Sequence, residues 1–213
     1  NSISLPIEVK EVIYGSSGIE PSLMEWMAPG TLIALIFFAP LALTGFALIK
    51  ERKEGLLERS LVAGVRAEEV IVSHFILQII VLTIQVILLM MTTFVLWEIP
   101  YHGNLLEAAT IIFLQGVSGI GFGLLISSIC ADEVTAMVIG SAVVFPSWCV
   151  CGTFWPIDGM GQIAKSLTYF LPLTLPLEAL RCIVERGWDI TYFPVFVGFF
   201  MCGVYIFIFV FLS

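Results

Sequence analysis

The chain has 213 residues, of which 59% are hydrophobic and only 12% are charged. Soluble globular proteins carry roughly 25% charged residues, and so apolar a chain lacks the polar side chains to cover a soluble exterior. The net charge of −8, with only nine Lys and Arg residues, leaves no basic surface for the phosphates of nucleic acids. The composition indicates an integral membrane protein and excludes a soluble enzyme, a disordered chain and a nucleic-acid-binding protein.

Residues 1–28 differ in character from the rest of the chain. β-Branched and aromatic side chains between positions 7 and 14 favour a strand, and the glycine- and serine-rich stretch 15–18 ends it. The chain opens on Asn1, without the charged and apolar pattern of a signal peptide. We interpret residues 1–28 as the end of an external domain whose remainder lies upstream. A disordered tail is the alternative.

Five apolar runs follow, each long enough to cross a bilayer as a helix, which needs about 20 residues. They are too long and too uniformly apolar for the strands of a membrane barrel. The predicted spans cover residues 31–49, 70–97, 105–130, 134–154 and 192–212. The predicted fold is an all-α polytopic membrane protein, in which residues 29–213 form a helical bundle.

Basic residues indicate the orientation of the bundle, because they are enriched in cytoplasmic loops. Five of the nine lie between the first two spans: Lys50, Arg52, Lys53, Arg59 and Arg66. The loop 50–69 is therefore predicted to be cytoplasmic. Five crossings then place the N-terminal end outside and the C-terminus in the cytoplasm of a multi-pass protein, which we expect in the plasma membrane.

The same loop has the features of a protein-docking element. It holds ten charged residues whose charges sum to zero, and Leu56, Leu57 and Leu61 lie on one side of a short helix. An amphipathic element without net charge suits a protein groove better than anionic lipid. The loop therefore predicts a docking segment, the alternative being an ordinary cytoplasmic anchor.

Polar side chains recur on one helical face of the second span, at His74, Gln78, Gln85 and Thr92. Polar groups within a membrane face a partner helix or a wet cavity rather than lipid. The stripe therefore predicts either interhelical hydrogen bonds or one wall of a substrate path.

Glycines recur at helical spacing in the third span, at Gly116, Gly119 and Gly123. Small residues allow helix backbones to approach closely in lipid. The pattern predicts helix packing, with a hinge that moves during a conformational cycle as the alternative.

Residues 155–190 contain three prolines and seven charged residues, too many for one spanning helix. We predict two short re-entrant helices that dip into the outer leaflet, the first capped by Asp158 and the second started by Thr174. Such backbone is tolerated at membrane depth where protein covers it. The alternative is a loop on the external surface.

The sequence is compatible with a disulfide between Cys151 and Cys182 and equally with free cysteines at both positions.

Candidate catalytic and cofactor sites are scarce. His74 and His102 lie far apart and have no His or Cys at metal-ligand spacing. The sequence contains no G-x-x-x-x-G-K-S/T motif, so this chain is not expected to hold ATP in a phosphate-binding loop. We expect no catalytic, cofactor or metal site in it.

Three stretches resemble the permeases of type-2 ABC exporters, in that family's order and spacing. Residues 51–65 read E-R-K-E-G-L-L-E-R-S-L-V-A-G-V, similar to the family's E-R-E-x-G-T-L-E-R-L-x-x-x-P-V. Residues 152–160 read G-T-F-W-P-I-D-G-M, and residues 171–181 begin L-P-L-T and end E-A-L-R. The chain departs from the family at Gly64, where the family has proline.

The resemblance implies the transmembrane domain of an ATP-driven exporter, either a G-type half-transporter or a relative with a large external domain. Each half would have six spans, so the first would lie upstream, and two identical or different halves would pair in the bilayer. ATP and Mg²⁺ would bind to a nucleotide-binding ATPase domain, on the same chain or on a separate subunit. The expected substrate is hydrophobic or lipid-like.

The resemblance also implies roles for individual residues. The cytoplasmic loop would couple to the ATPase domain through Glu51, Arg52, Gly55, Leu57, Glu58, Arg59 and Arg66. The external segment would contribute to an outer gate through Phe154, Pro156, Asp158, Gly159, Glu178 and Arg181. The alternative functions are a polytopic membrane enzyme, for which Glu107 is the lone candidate acid, and a receptor-like membrane module.

Overall fold

The computed structural model describes residues 23–56, 59, 62–64 and 66–213, and every regular element within these ranges is helical. The helices are α1 (Leu23–Lys53), α2 (Ala67–Met91), α3 (Leu105–Ile129), α4 (Glu133–Val150), α5 (Gln162–Thr168), α6 (Thr174–Arg186) and α7 (Phe193–Leu212). A π-helical turn, Thr92–Leu96, extends α2, and a 3-10 turn, Ile157–Gly159, precedes α5. The strand predicted within residues 7–14 lies outside the described residues.

Within the described ranges, five elements are long and apolar enough to cross a membrane. They are α1, the stretch Val72–Leu96 of α2 and its π-helical extension, α3, α4 and α7. They confirm the predicted all-α membrane fold and the five spans predicted for this part of the chain. The two short helices, α5 and α6, lie between the fourth and fifth spans, in the segment where two interrupted helices were predicted.

The first helix begins earlier than predicted. α1 starts at Leu23 and therefore runs through the predicted domain boundary between residues 28 and 29. Pro29 and Gly30 suggest a break because both disfavour a helix interior. In the structure both are buried within α1, and a Cβ on Gly30 would occupy the space of the Thr153 side chain. Packing has therefore overridden the local preference.

The centre of the bundle is α3, which packs most extensively against α1 and also contacts α2, α4, α6 and α7. The interior is filled by large apolar side chains that are almost fully buried, among them Phe37 of α1, Leu82 of α2, Ile111 and Ile120 of α3, and Leu180 of α6. The remaining faces of α2, α4 and α7 expose mainly apolar side chains. Such faces suit contact with lipid or with another membrane-spanning chain.

The close approach of α3 to α1 depends on glycine. A Cβ on Gly123 would lie 2.7 Å from the carbonyl oxygen of Leu41, and one on Gly119 would collide with the carbonyl oxygen of Phe37. A Cβ on Gly116 would meet the side chain of Leu82 in α2. These contacts are what the packing interpretation of the glycine pattern predicts.

Candidate functional site

The predicted docking segment, residues 50–69, begins in the last turn of α1 and contains two backbone hydrogen bonds of helical spacing. The N–H of Arg59 donates to the carbonyl of Gly55 at 3.2 Å, and the N–H of Ala63 donates to the carbonyl of Arg59 at 3.0 Å. Gly55 and Gly64 in this segment have φ of +65° and +92°. Left-handed backbone of this kind is readily adopted by glycine and is closed to proline, whose φ is fixed near −65°. Gly64 therefore makes a turn that a proline at this position would not make.

Most predicted docking residues that the structure describes are accessible. The side chains of Arg52, Arg59 and Arg66 are exposed, and Glu51 is half-buried. The backbone N–H of Arg66 donates to Glu69 at 3.1 Å, as part of the cap that starts α2. Leu57 and Glu58 lie outside the described residues.

A hydrogen bond and an ion pair connect the start of the segment to the rest of the bundle. Nε2 of His74 in α2 lies 2.7 Å from Oε2 of Glu51, and Nζ of Lys53 lies 2.6 Å from Oδ1 of Asp132 in the linker between α3 and α4. The Lys53–Asp132 pair is exposed and therefore screened by solvent, so it adds little to stability. Together they nevertheless connect the docking segment to α2 and to the α3–α4 linker, so a displacement of the segment would act on both.

The predicted polar stripe on α2 separates into different environments. His74 belongs with the docking segment through its contact with Glu51. Thr92 donates to the carbonyl of Leu88 in its own helix. Gln78 is 6% exposed, and the side-chain oxygens of Gln78 and Gln85 are buried with no hydrogen-bond partner among the described residues.

At the opposite end of the bundle, α4 ends at Val150, four residues before its predicted end. The reason is Gly152, whose φ of +101° turns the chain. The segment then buries Thr153 and leaves Phe154 38% exposed, with its ring 5.3 Å from that of Trp148.

The first short helix starts later than predicted. α5 begins at Gln162 with Gly161 at its N-cap, whereas Asp158 lies in the preceding 3-10 turn and its side chain is outside the description. Pro156 and Gly159, which were also predicted for the outer gate, are exposed in the same connection. α6 begins at Thr174, as predicted.

Arg181 joins α6 to the beginning of α1. Its Nη2 donates to the carbonyl of Trp26 at 3.1 Å, and its guanidinium lies 4.0 Å from the centre of the Trp26 ring. Its Nε is 3.9 Å from Oε1 of Glu185, and Glu178 is half-buried on the same helix. Burial raises the pKa of the Glu185 carboxyl, while the guanidiniums of Arg181 and Arg186 lower it. A cation–π contact and a hydrogen bond thus hold α6 against the beginning of α1.

The cysteines do not form the disulfide that the sequence left open. Cys151 and Cys182 are both free and buried. Burial raises the pKa of the Cys182 thiol to about 11 and also raises the pKa of Cys151. A buried thiol with a raised pKa is a weak nucleophile.

The residue with the most extensive buried polar contacts was not predicted. Gln115, in the middle of α3, is completely buried, donates to the carbonyl of Pro172 and accepts from the thiol of Cys202. The signal that singled out Gln78 and Gln85, a polar amide inside an apolar span, applies equally to Gln115.

Within the described ranges, no group of three or more His, Cys, Asp and Glu side chains is placed to hold a metal ion.

Comparison with known proteins assigns residues 9–184 to the family model described as ABC-2 type transporter. ABC transporter G family member 20 of Dictyostelium discoideum is 27% identical over 195 residues, which cover 90% of this chain and 26% of that protein. The probable multidrug ABC transporter permease YbhR of Escherichia coli is 26% identical over 70% of this chain and 41% of its own length. The linearmycin resistance permease protein LnrN of Bacillus subtilis is 27% identical over 73% of this chain and 41% of its own length. The chain thus spans less than half the length of these relatives.

Proposed function

The chain belongs to the ABC-2 type transporter family, and on that premise we propose that it forms one membrane-spanning half of an ATP-driven exporter. The observation that carries the proposal lies at the end of α1 and just beyond it. Arg52 and Arg59 are exposed there, while Lys53 pairs with Asp132 of the α3–α4 linker and Glu51 contacts His74 of α2. A surface element tied to several helices can pass a partner's movement into the bundle. The membrane-enzyme and receptor alternatives have no comparable support.

The partner that we propose is a nucleotide-binding ATPase domain, which would bind ATP and Mg²⁺ and lie on the same chain or on a separate subunit. It would dock on the cytoplasmic segment through Glu51, Arg52, Gly55, Leu57, Glu58, Arg59 and Arg66. In this arrangement the bundle lies in the plasma membrane with residues 155–190 outside. A second half, identical or different, would cover part of the apolar surface of α2, α4 or α7.

We propose that the substrate is hydrophobic or lipid-like. The surface between α1, α3 and α4 is a shallow apolar depression lined by residues that include Phe38, Leu41, Phe46 and Met137. Two relatives carry names that refer to multidrug transport and to linearmycin resistance. The unpaired oxygens of Gln78 and Gln85 would offer hydrogen bonds in a path that is otherwise apolar.

Transport by the full-length protein with its ATPase partner, reconstituted in inside-out vesicles, tests this function. The probes are a hydrophobic fluorescent dye and a fluorescently labelled phospholipid. We expect ATP with Mg²⁺, but not a non-hydrolysable analogue, to drive uptake of at least one probe. A Gln78→Leu/Gln85→Leu double variant should change the preference between them. Equal movement of both probes with and without ATP would contradict the proposed function, and an unchanged preference would contradict the role of the two glutamines.

A further inference from the structure

The turn between α5 and α6, residues 169–173, contains carbonyl groups that its own backbone does not satisfy. In a continuous helix the carbonyl of Pro172 would accept from the N–H of residue 176, but that residue is proline and has no N–H. In a continuous helix the N–H of Thr174 would donate to the carbonyl of Phe170. It donates instead to the carbonyl of Leu171, so the carbonyl of Phe170 loses this partner. Because of the sequence L-P-L-T-L-P, these two carbonyls need hydrogen-bond donors from outside the turn.

Side chains of the two neighbouring spans supply these donors. Nε2 of Gln115 in α3 donates to the carbonyl of Pro172 at 3.1 Å, and the hydroxyl of Tyr205 in α7 donates to the carbonyl of Phe170 at 3.0 Å. Within the segment, Oγ1 of Thr174 donates to the carbonyl of Thr168 at 2.7 Å. The carbonyls of Phe170 and Pro172 in the turn are therefore each satisfied by a side chain of a neighbouring span, and the carbonyl of Thr168 accepts from both Thr174 and the N–H of Leu171.

The positions of the two outer donors indicate how deep the turn lies. Gln115 is ten residues into α3, or about 15 Å along the helix, and Tyr205 is twelve residues into α7, or about 18 Å. Both distances are close to half of the roughly 30 Å hydrocarbon thickness. Irregular backbone survives at such a depth only where protein groups satisfy it, because no water is present to do so.

The Gln115 amide also connects the turn to α7. While its nitrogen donates to Pro172, its oxygen accepts from Sγ of Cys202 at 3.5 Å, and the Cys202 side chain is completely buried behind it. We propose that Gln115 and Tyr205 are positioning residues that hold the α5–α6 turn at mid-membrane depth and thereby seal the bundle from the external side. The external placement rests on the proposed function, whereas the seal itself does not require transport.

Cys202 provides a native reporter of this seal. The experiment uses the full-length protein with its partner in vesicles, with Cys130, Cys149, Cys151, Cys182 and any cysteine outside this chain replaced. The vesicles are right-side-out, so a membrane-impermeant thiol reagent added to them reaches the external face of the protein. We expect Cys202 to be nearly unreactive in this background. Gln115→Leu should react about tenfold faster, because loss of one buried hydrogen bond shifts a local opening equilibrium by about that factor.

Two further variants make the result specific. Gln115→Leu also removes the acceptor of the Cys202 thiol, which could by itself change the reactivity of the thiol. Tyr205→Phe removes only a hydroxyl and keeps the Cys202–Gln115 contact, so faster labelling in this variant would report the opening of the turn. Thr83→Val removes a hydroxyl in α2 that donates to Ile79 of its own helix, away from the turn, and should leave labelling unchanged. Unchanged labelling in both Gln115→Leu and Tyr205→Phe, or an equal increase in Thr83→Val, would overturn the proposal. Faster labelling in a protein that moves neither probe would support the seal while counting against the proposed function.

Discussion

Arg59→Glu is expected to abolish ATP-driven transport while the protein still inserts and assembles. Arg59 is exposed, and its N–H donates to the carbonyl of Gly55 in a helical turn that is too short to be stable without a partner surface. A desolvated charge pair that is broken on one side costs about 2–5 kcal/mol, enough to release a docked element. The measurement is ATPase activity as a function of probe concentration, and we expect its dependence on the probe to disappear.

The matched control for Arg59→Glu is Asp189→Lys, which reverses an exposed charge in the connection between α6 and α7 at the other end of the bundle. It should leave both transport and probe-stimulated ATPase activity intact. If Arg59→Glu retained both activities, Arg59 would be only a determinant of membrane orientation, and its docking role would have to be abandoned.

Gly119→Ala is expected to destabilise the bundle. The added Cβ would collide with the carbonyl oxygen of Phe37, which is backbone and cannot rotate away. Overpacking of this type costs about 1–3 kcal/mol, and here it would separate α1 from α3, the most extensive helix contact in the bundle. The measurement is the thermal unfolding midpoint of the detergent-purified protein.

Gly203→Ala in α7 is the control, because a Cβ there has no heavy atom within 4 Å. Both substitutions gain the same helix propensity, about 1 kcal/mol per residue, so the difference between them isolates packing. Equal midpoints would refute the packing role. A stable Gly119→Ala protein with slowed transport would instead favour the hinge interpretation.

The parts of the fold that depend on local composition were predictable from the sequence. Runs of about 20 apolar residues identify spans because hydrocarbon excludes charge. Proline and charge in residues 155–190 indicated interrupted helices, and α5 and α6 are found there. The start of α1 was not predictable, because Gly30 is fitted there against Thr153, more than a hundred residues away.

The long-range polar contacts were likewise beyond sequence reasoning. The pairing of Glu51 with His74 joins two groups that the sequence suggested for different roles. The contact of Arg181 with Trp26 depends on α6 lying against the start of α1. Gln115 is a third case. The sequence shows a polar amide within an apolar span, but only the structure shows that this amide binds the carbonyl of Pro172.

Docking of an ATPase domain on the segment after α1 is the central claim, and a photo-cross-link at Val62 tests it most directly. Val62 is 90% exposed within that segment, so a photoreactive amino acid placed there would face a docked partner. In the full-length protein with its ATPase partner, we expect adducts with the nucleotide-binding domain from position 62 and none from Ser166, which is exposed on α5. Adducts from position 166, or none from position 62 in a preparation with probe-stimulated ATPase activity, would contradict the docking assignment.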